Sequence, residues 1–249
     1  MAVHSMHPPE DREMELREHL AELKTRTTKL LVVMLVGIGI VFQYSDELIK
    51  KFWVDVFREK LDMVVYTPTE WIMARLVFSF VVTFFVVYPY IVYELYLFAR
   101  PGLYEHERKF VKTFLPFSYI LFLLGTALAY FVVIPKLYSL ATVEYLGAHP
   151  FLSVKKTLYG AFKIFLAFSL AFQIPVLAVI AVRLRLITSR WLKEKRLIIY
   201  IAVFILATNV TLDITGLSQL VVLALVVIMY EVSILIAGLM EKEGGEGRR

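Results

Sequence analysis

Phe98 to Phe110 reads FARPGLYEHERKF, a short polar stretch between an apolar run ending at Leu97 and another beginning near Thr113. Pro101 fixes φ and removes a backbone donor, and Gly102 tolerates conformations other residues avoid. The pair therefore ends one helix and turns the chain. Tyr104 to Lys112 should begin the next helix, with Glu105 and Glu107 in its first turns, where the helix dipole favours negative charge. Arg100, Arg108, Lys109 and Lys112 surround these carboxylates. Such a site could receive an incoming guanidinium pair. The same residues also describe an ordinary solvated, basic loop between two membrane spans.

The 249-residue chain repeats that alternation along its length. It is 59% hydrophobic with a mean hydropathy of +0.70, too apolar for a soluble domain of this size. Its 27 basic and 22 acidic residues bunch between apolar runs, as in a polytopic membrane protein. There is no cysteine, which excludes disulfides and thiolate chemistry. The polar N-terminal residues argue against a cleavable signal peptide. The net charge of +5 is better explained by membrane topology than by nucleic acid.

Asp11 to Thr28 reads as an amphipathic helix, with an apolar stripe of Leu16, Leu20 and Leu23 beside Glu15, His19, Glu22 and Arg26. It is expected to lie along the membrane surface and feed the first span. Six spans are expected, near 30–44, 71–98, 113–134, 158–182, 197–210 and 217–239. Pro89 and Pro175 fall inside the second and fourth, and Pro135 is expected to stop the third. The short fifth would cover about 21 Å, less than the roughly 30 Å hydrocarbon core. With the N-terminus inside, the richest basic clusters fall inside: Arg100 to Lys112, and Arg183, Arg185, Arg190, Lys193, Lys195 and Arg196. The outer loops are poorer in bases, which places both termini in the cytoplasm. The whole chain is expected to be one membrane domain, 1–249, with a cytoplasmic segment at 1–28 and a tail at 240–249.

No phosphate loop, HExxH or GxSxG is present, and the five histidines lack metal-ligand spacing. An enzyme is not expected, nor a cofactor, a metal or a nucleic-acid partner. Polar residues within spans are more telling, because each is costly unless it meets a partner or water. Glu94 sits near the inner end of span two, Gln173 mid-span before Pro175, and Glu231 in span six. Gln173 and Glu231 are expected to mediate helix–helix contact, within the chain or with another subunit. Arg75 and Lys163, near outer ends, are expected to snorkel.

Several motifs, in order, resemble those of the TatC family, the multi-span core of the twin-arginine translocase. HLAELKTR (19–26) is similar to the family's HLxELRxR, and RPGLYEHERK (100–109) to its first cytoplasmic loop. TPTEW (67–71), AYFVVIP (129–135), FQIPV (172–176), LSQ (217–219) and Tyr230-Glu231 resemble further family segments. The resemblance implies an all-α, concave six-span receptor that binds twin-arginine signal peptides of folded cargo proteins on its cytoplasmic face. It also implies assembly with single-span subunits, use of the proton gradient and no bound cofactor; lipid surrounds it, and self-association is left open.

By the same resemblance, Glu22 and Glu107 would take the two guanidinium groups, whose rigid forks suit carboxylates bidentately. His19, Leu20, Lys24, Arg26, Phe98, Pro101, Gly102, Leu103, Tyr104 and Arg108 would complete the site. Gln173 and Glu94 would line the concave face, and Thr211, Asp213, Gln219 and Glu231 would contact partner subunits. Plainer roles compete: an intrahelical pair with Arg26 for Glu22, and a dipole-favoured surface charge for Glu107. Three positions depart from the family. Lys24 replaces an arginine, Gln173 a glutamate, and Thr211-Leu212-Asp213 a proline-rich turn. The alternative reading is a proton- or ion-coupled solute transporter using Glu94, Gln173 and Glu231. No paired repeat supports it.

Overall fold

The computed structural model describes residues 16–57, 63–141, 153–210 and 217–246. These residues are helical nearly throughout and contain no strand beyond one isolated bridge, Val64 to Ser153. Five helical segments are long and apolar enough to cross a membrane, and Arg196–Ile205 is a shorter apolar helix.

The first helix differs from expectation. α1 runs without a break from Leu16 to Phe57, 42 residues. From Leu16 on, the amphipathic stretch is thus the opening of the first span and not a separate surface helix; Asp11 to Glu15 lie outside the described residues. No proline or cap interrupts Leu16 to Tyr44, so nothing separates the two. Leu20 and Leu23 of the apolar stripe remain exposed on its outside.

α2, Pro68–Ala99, begins at the N-cap Thr67, whose hydroxyl accepts from the Glu70 amide. Pro89 lies inside α2 without ending it. A 3₁₀ turn over Arg100–Gly102 leads to α3, Glu105–Leu128. Pro135 does not stop this span. A π-helical turn over Ala129–Val133 precedes it, and the helix continues as α4, Ile134–Ala141. A wide turn of this kind is a common way to absorb a residue that cannot donate. The fourth span is two helices, α5 (Val154–Ala171) and α6 (Ile174–Arg183), divided at Phe172-Gln173 just ahead of Pro175. A short helix, α7 (Ser189–Glu194), precedes α8 (Arg196–Val210). α9 runs from Leu217 to Glu246, past the expected end of the sixth span.

α1 packs along α2, α3 and α2 against α5, and α6 and α8 against α9. In lipid the hydrophobic effect contributes little between helices, so close packing and polar contacts hold them. The main core joins Ile49, Phe52 and Trp53 of α1, Phe78 of α2 and Phe162, Phe165 and Phe168 of α5. Phe122, fully buried, stacks on Tyr88 at 3.7 Å between ring centroids. Two glycines set approach distances. A Cβ on Gly37 would meet the Thr83 methyl at 2.4 Å, and one on Gly125 would meet the Phe168 carbonyl oxygen at 2.7 Å. A smaller cluster of Ala178, Val182, Leu192, Tyr230, Ile234 and Ala237 ties α6 and α7 to α9.

Arg75 does not snorkel. It turns onto α1, where it donates to Ser45 Oγ and the Phe42 carbonyl at 2.8 Å, lies 3.2 Å from Asp46 and covers the Phe42 ring.

Candidate functional site

The opening turns of α1 meet the last turns of α2, and a turn then leads from α2 into α3. His19 stacks on Phe98 with centroids 4.4 Å apart and planes at 25°. This contact fixes the HLAELKTR face of α1 against the last turn of α2. Two turns further along α1, Arg26 bridges the helices. Its Nε donates to Glu22 Oε1 at 2.9 Å and its Nη1 to Glu94 Oε2 at 2.8 Å. The plainer role considered for Glu22, a pair with Arg26 one turn on, is therefore realised, and Glu94 joins it.

The loop is held by its own residues. Leu103 donates to the Arg100 carbonyl at 3.1 Å, closing the 3₁₀ turn that Pro101 starts. Gly102 occupies an open position and its φ lies outside the left-handed region, so the turn does not need its special conformational range. Arg108 Nε donates to the carbonyls of Arg100 at 3.1 Å and Leu103 at 2.9 Å, fastening the turn to α3. Glu107, half-buried at the third position of α3, accepts from the Tyr104 amide at 2.9 Å. That bond satisfies a donor otherwise orphaned at the helix start, and the dipole favours the carboxylate there.

Beside the turn lies an open cleft of about 320 Å³, lined by Tyr93, Tyr96 and Leu97 of α2, by Arg100, and by Glu105, Arg108, Lys109 and Lys112 of α3. Lys109 pairs with Glu105 at 3.3 Å on the exposed face. Aromatic rings on one wall and bases on the other suit a chain that is apolar on one side and carries carbonyls or anionic groups on the other.

The remaining predicted positions divide. Leu20 and Lys24 are exposed on α1. Gln173 is buried, 6% exposed, with its amide turned onto Ser118: Ser118 Oγ donates to Oε1 at 2.6 Å and Nε2 donates to the Ser118 carbonyl at 3.1 Å. It fills the break between α5 and α6 and ties it to α3. Glu231 accepts from Arg196 Nη2 at 2.7 Å and from the Tyr200 hydroxyl, linking α8 to α9. Gln219 is half-buried near the start of α9. Thr211 and Asp213 lie outside the described residues. Among these residues, no cluster of histidine, cysteine or carboxylate side chains could hold a metal.

Sequence reasoning missed the Arg26–Glu94 bridge, the His19–Phe98 stack and the Gln173–Ser118 link. A signal for the first was present: an arginine and a glutamate near the same end of consecutive antiparallel spans.

A family model described as "Sec-independent protein translocase protein (TatC)" matches residues 18–224. A Sec-independent protein translocase protein TatC of Methanocella arvoryzae is 36% identical, over 95% of this chain and 98% of the relative. The one from Aquifex aeolicus is 29% identical over 94% of this chain and 98% of its own. Two crystal structures of a twin arginine translocase receptor, TatC, are 27% identical to this chain. One superimposes with a TM-score of 0.77 over 89% of this chain and 99% of its own, the other, in DDM, with 0.79 over 88% and 99%. The shared helical fold, the apolar spans and the matches over nearly the whole length lead to one conclusion: this chain belongs to the TatC family and is a multi-pass, non-enzymatic component of a Sec-independent protein translocase.

Proposed function

We propose that this protein is the receptor subunit of a twin-arginine export system, binding twin-arginine signal peptides at the junction of α1, α2 and α3. The observation that carries the reading is the locking of α1 onto the end of α2, next to the turn into α3. His19 on Phe98 and Arg26 on Glu94 hold the Glu22 face of α1 against α2, and the turn that follows α2 sets Glu107 at the head of α3. Two carboxylates on rigid helices suit two guanidinium forks. The aromatic and basic cleft between the end of α2 and the start of α3 suits the polypeptide that follows. Membership of the TatC family replaces the solute-transporter alternative with protein export.

The whole chain acts as one six-span unit in the plasma membrane, with its N-terminal segment and tail in the cytoplasm, as the distribution of bases favours. Single-span translocase subunits dock on α8 and α9, near Gln219 and Glu231 and the residues Thr211 to Asp213. Because Glu231 is engaged by Arg196 and Tyr200, its contribution there is to hold α8 on α9 in shape.

The test is crosslinking of a twin-arginine peptide to full-length protein carrying Glu22→Gln or Glu107→Gln. Glutamine at position 107 keeps an acceptor for the Tyr104 amide and removes only the charge. Each variant should lose most of the crosslink. Full crosslinking in both would refute the reading.

A further inference from the structure

We infer that Arg26 is a resident stand-in for one arginine of the signal, and that Glu94 is the positioning residue that keeps Arg26 when the signal takes Glu22. The inference rests on the recognition reading above and adds to it a source of arginine selectivity. Arg26 presents its guanidinium to both carboxylates at once, with Nε and Nη2 on one oxygen of Glu22 and Nη1 on Glu94. The Glu22 and Arg26 side chains are each 22% exposed, and Glu94 is 12% exposed. The bridge is therefore more open to solvent at Glu22 and more enclosed at Glu94.

Charge balance points the same way. Two carboxylates and one guanidinium leave a surplus negative charge. Lys29, exposed on the next turn of α1, is the other cation near Glu94, and water screens it. The cluster can take one more cation without leaving any partner unpaired. When an incoming guanidinium replaces the Nε–Nη2 contact on Glu22, Arg26 keeps its bond to Glu94. No enclosed charge is then stranded, which is the usual penalty for breaking such a pair. An incoming ammonium is a point charge and cannot match the two-pronged contact it would have to displace. Arg26 thus selects by competition: it raises the threshold for every ligand, and most for lysine.

The experiment measures binding of a fluorescent twin-arginine peptide and its twin-lysine counterpart to the full-length protein in detergent. The proteins are the wild type, Glu94→Gln, Arg26→Gln, Arg26→Lys and the Glu94→Gln/Arg26→Gln double variant. Glu94→Gln should weaken twin-arginine binding by about three- to fivefold, the upper range for a part-exposed ion pair. It should have no effect in the Arg26→Gln background. Arg26→Gln and Arg26→Lys should each lower the preference for arginine over lysine by a similar factor, and the lysine variant keeps the charge should the neutral one fold poorly. An equal loss from Glu94→Gln in both backgrounds would overturn the inference, because Glu94 would then touch the peptide itself. An unchanged arginine preference in the Arg26 variants would overturn it too. Absence of twin-arginine binding to the wild type, or binding indifferent to Glu22→Gln, would instead overturn the recognition reading beneath it.

Discussion

Gly125→Ala tests whether α3 and α5 are held by close backbone approach. The added methyl would sit 2.7 Å from the Phe168 carbonyl oxygen and 3.0 Å from Phe172 Cδ2. Carbon and oxygen pack at roughly 3.3 Å or more, so the helices must part by about 0.6 Å or shift along one another. The Phe172 ring can swing aside, but the Phe168 carbonyl belongs to a helix whose ring is buried in the core, 2% exposed. Overpacking of this kind costs about 1–3 kcal/mol. Alanine is the better helix former by up to about 1 kcal/mol, which offsets part of it. The net expectation is a loss of about 1–2 kcal/mol. Gly39→Ala is the matched control, since nothing lies within 4 Å of its Cβ position, and only the propensity gain of up to about 1 kcal/mol should remain. The assay is the fraction of monodisperse protein surviving graded heating in detergent. If Gly125→Ala survives as well as Gly39→Ala, the argument for backbone contact is wrong.

Gln173→Leu keeps the bulk but strips both bonds to Ser118, and should cost about 1–3 kcal/mol in the same heating assay. Thr67→Ala removes the N-cap of α2 and should cost about 1 kcal/mol, while Thr67→Ser should restore most of it. Arg75→Ala leaves the Ser45 hydroxyl and Asp46 without their α2 partner and should cost about 1–3 kcal/mol, with Arg75→Lys recovering only part because a lysine cannot span the same acceptors.

The spans were readable because uninterrupted apolar runs longer than a bilayer is thick have few other uses. Their interruptions were read less well, because proline acts locally and the response depends on what surrounds it. Pro89 is simply carried inside α2, Pro135 is absorbed by a π turn, and Pro175 coincides with a break filled by Gln173. From sequence the three look alike. The candidate site was legible as two separate motifs, HLAELKTR and RPGLYEHERK. The contacts that fasten the first motif to α2, just ahead of the second, are His19 with Phe98 and Arg26 with Glu94, and they needed the packing angle between spans. Arg75 was misread for the same reason: the acceptors it reaches lie about thirty positions earlier, on a helix whose rotation periodicity alone does not give.

A rod 42 residues long measures about 63 Å, roughly twice the depth of a bilayer's oily interior. α1 is such a rod, bearing His19 near one tip and Phe52, Trp53 and Phe57 wedged among other rings near the opposite tip. An unbroken helix of this length carries force like a lever arm. A load on its first turns therefore reaches the far aromatic cluster through one continuous backbone, and the long seam with α2 resists it along the way.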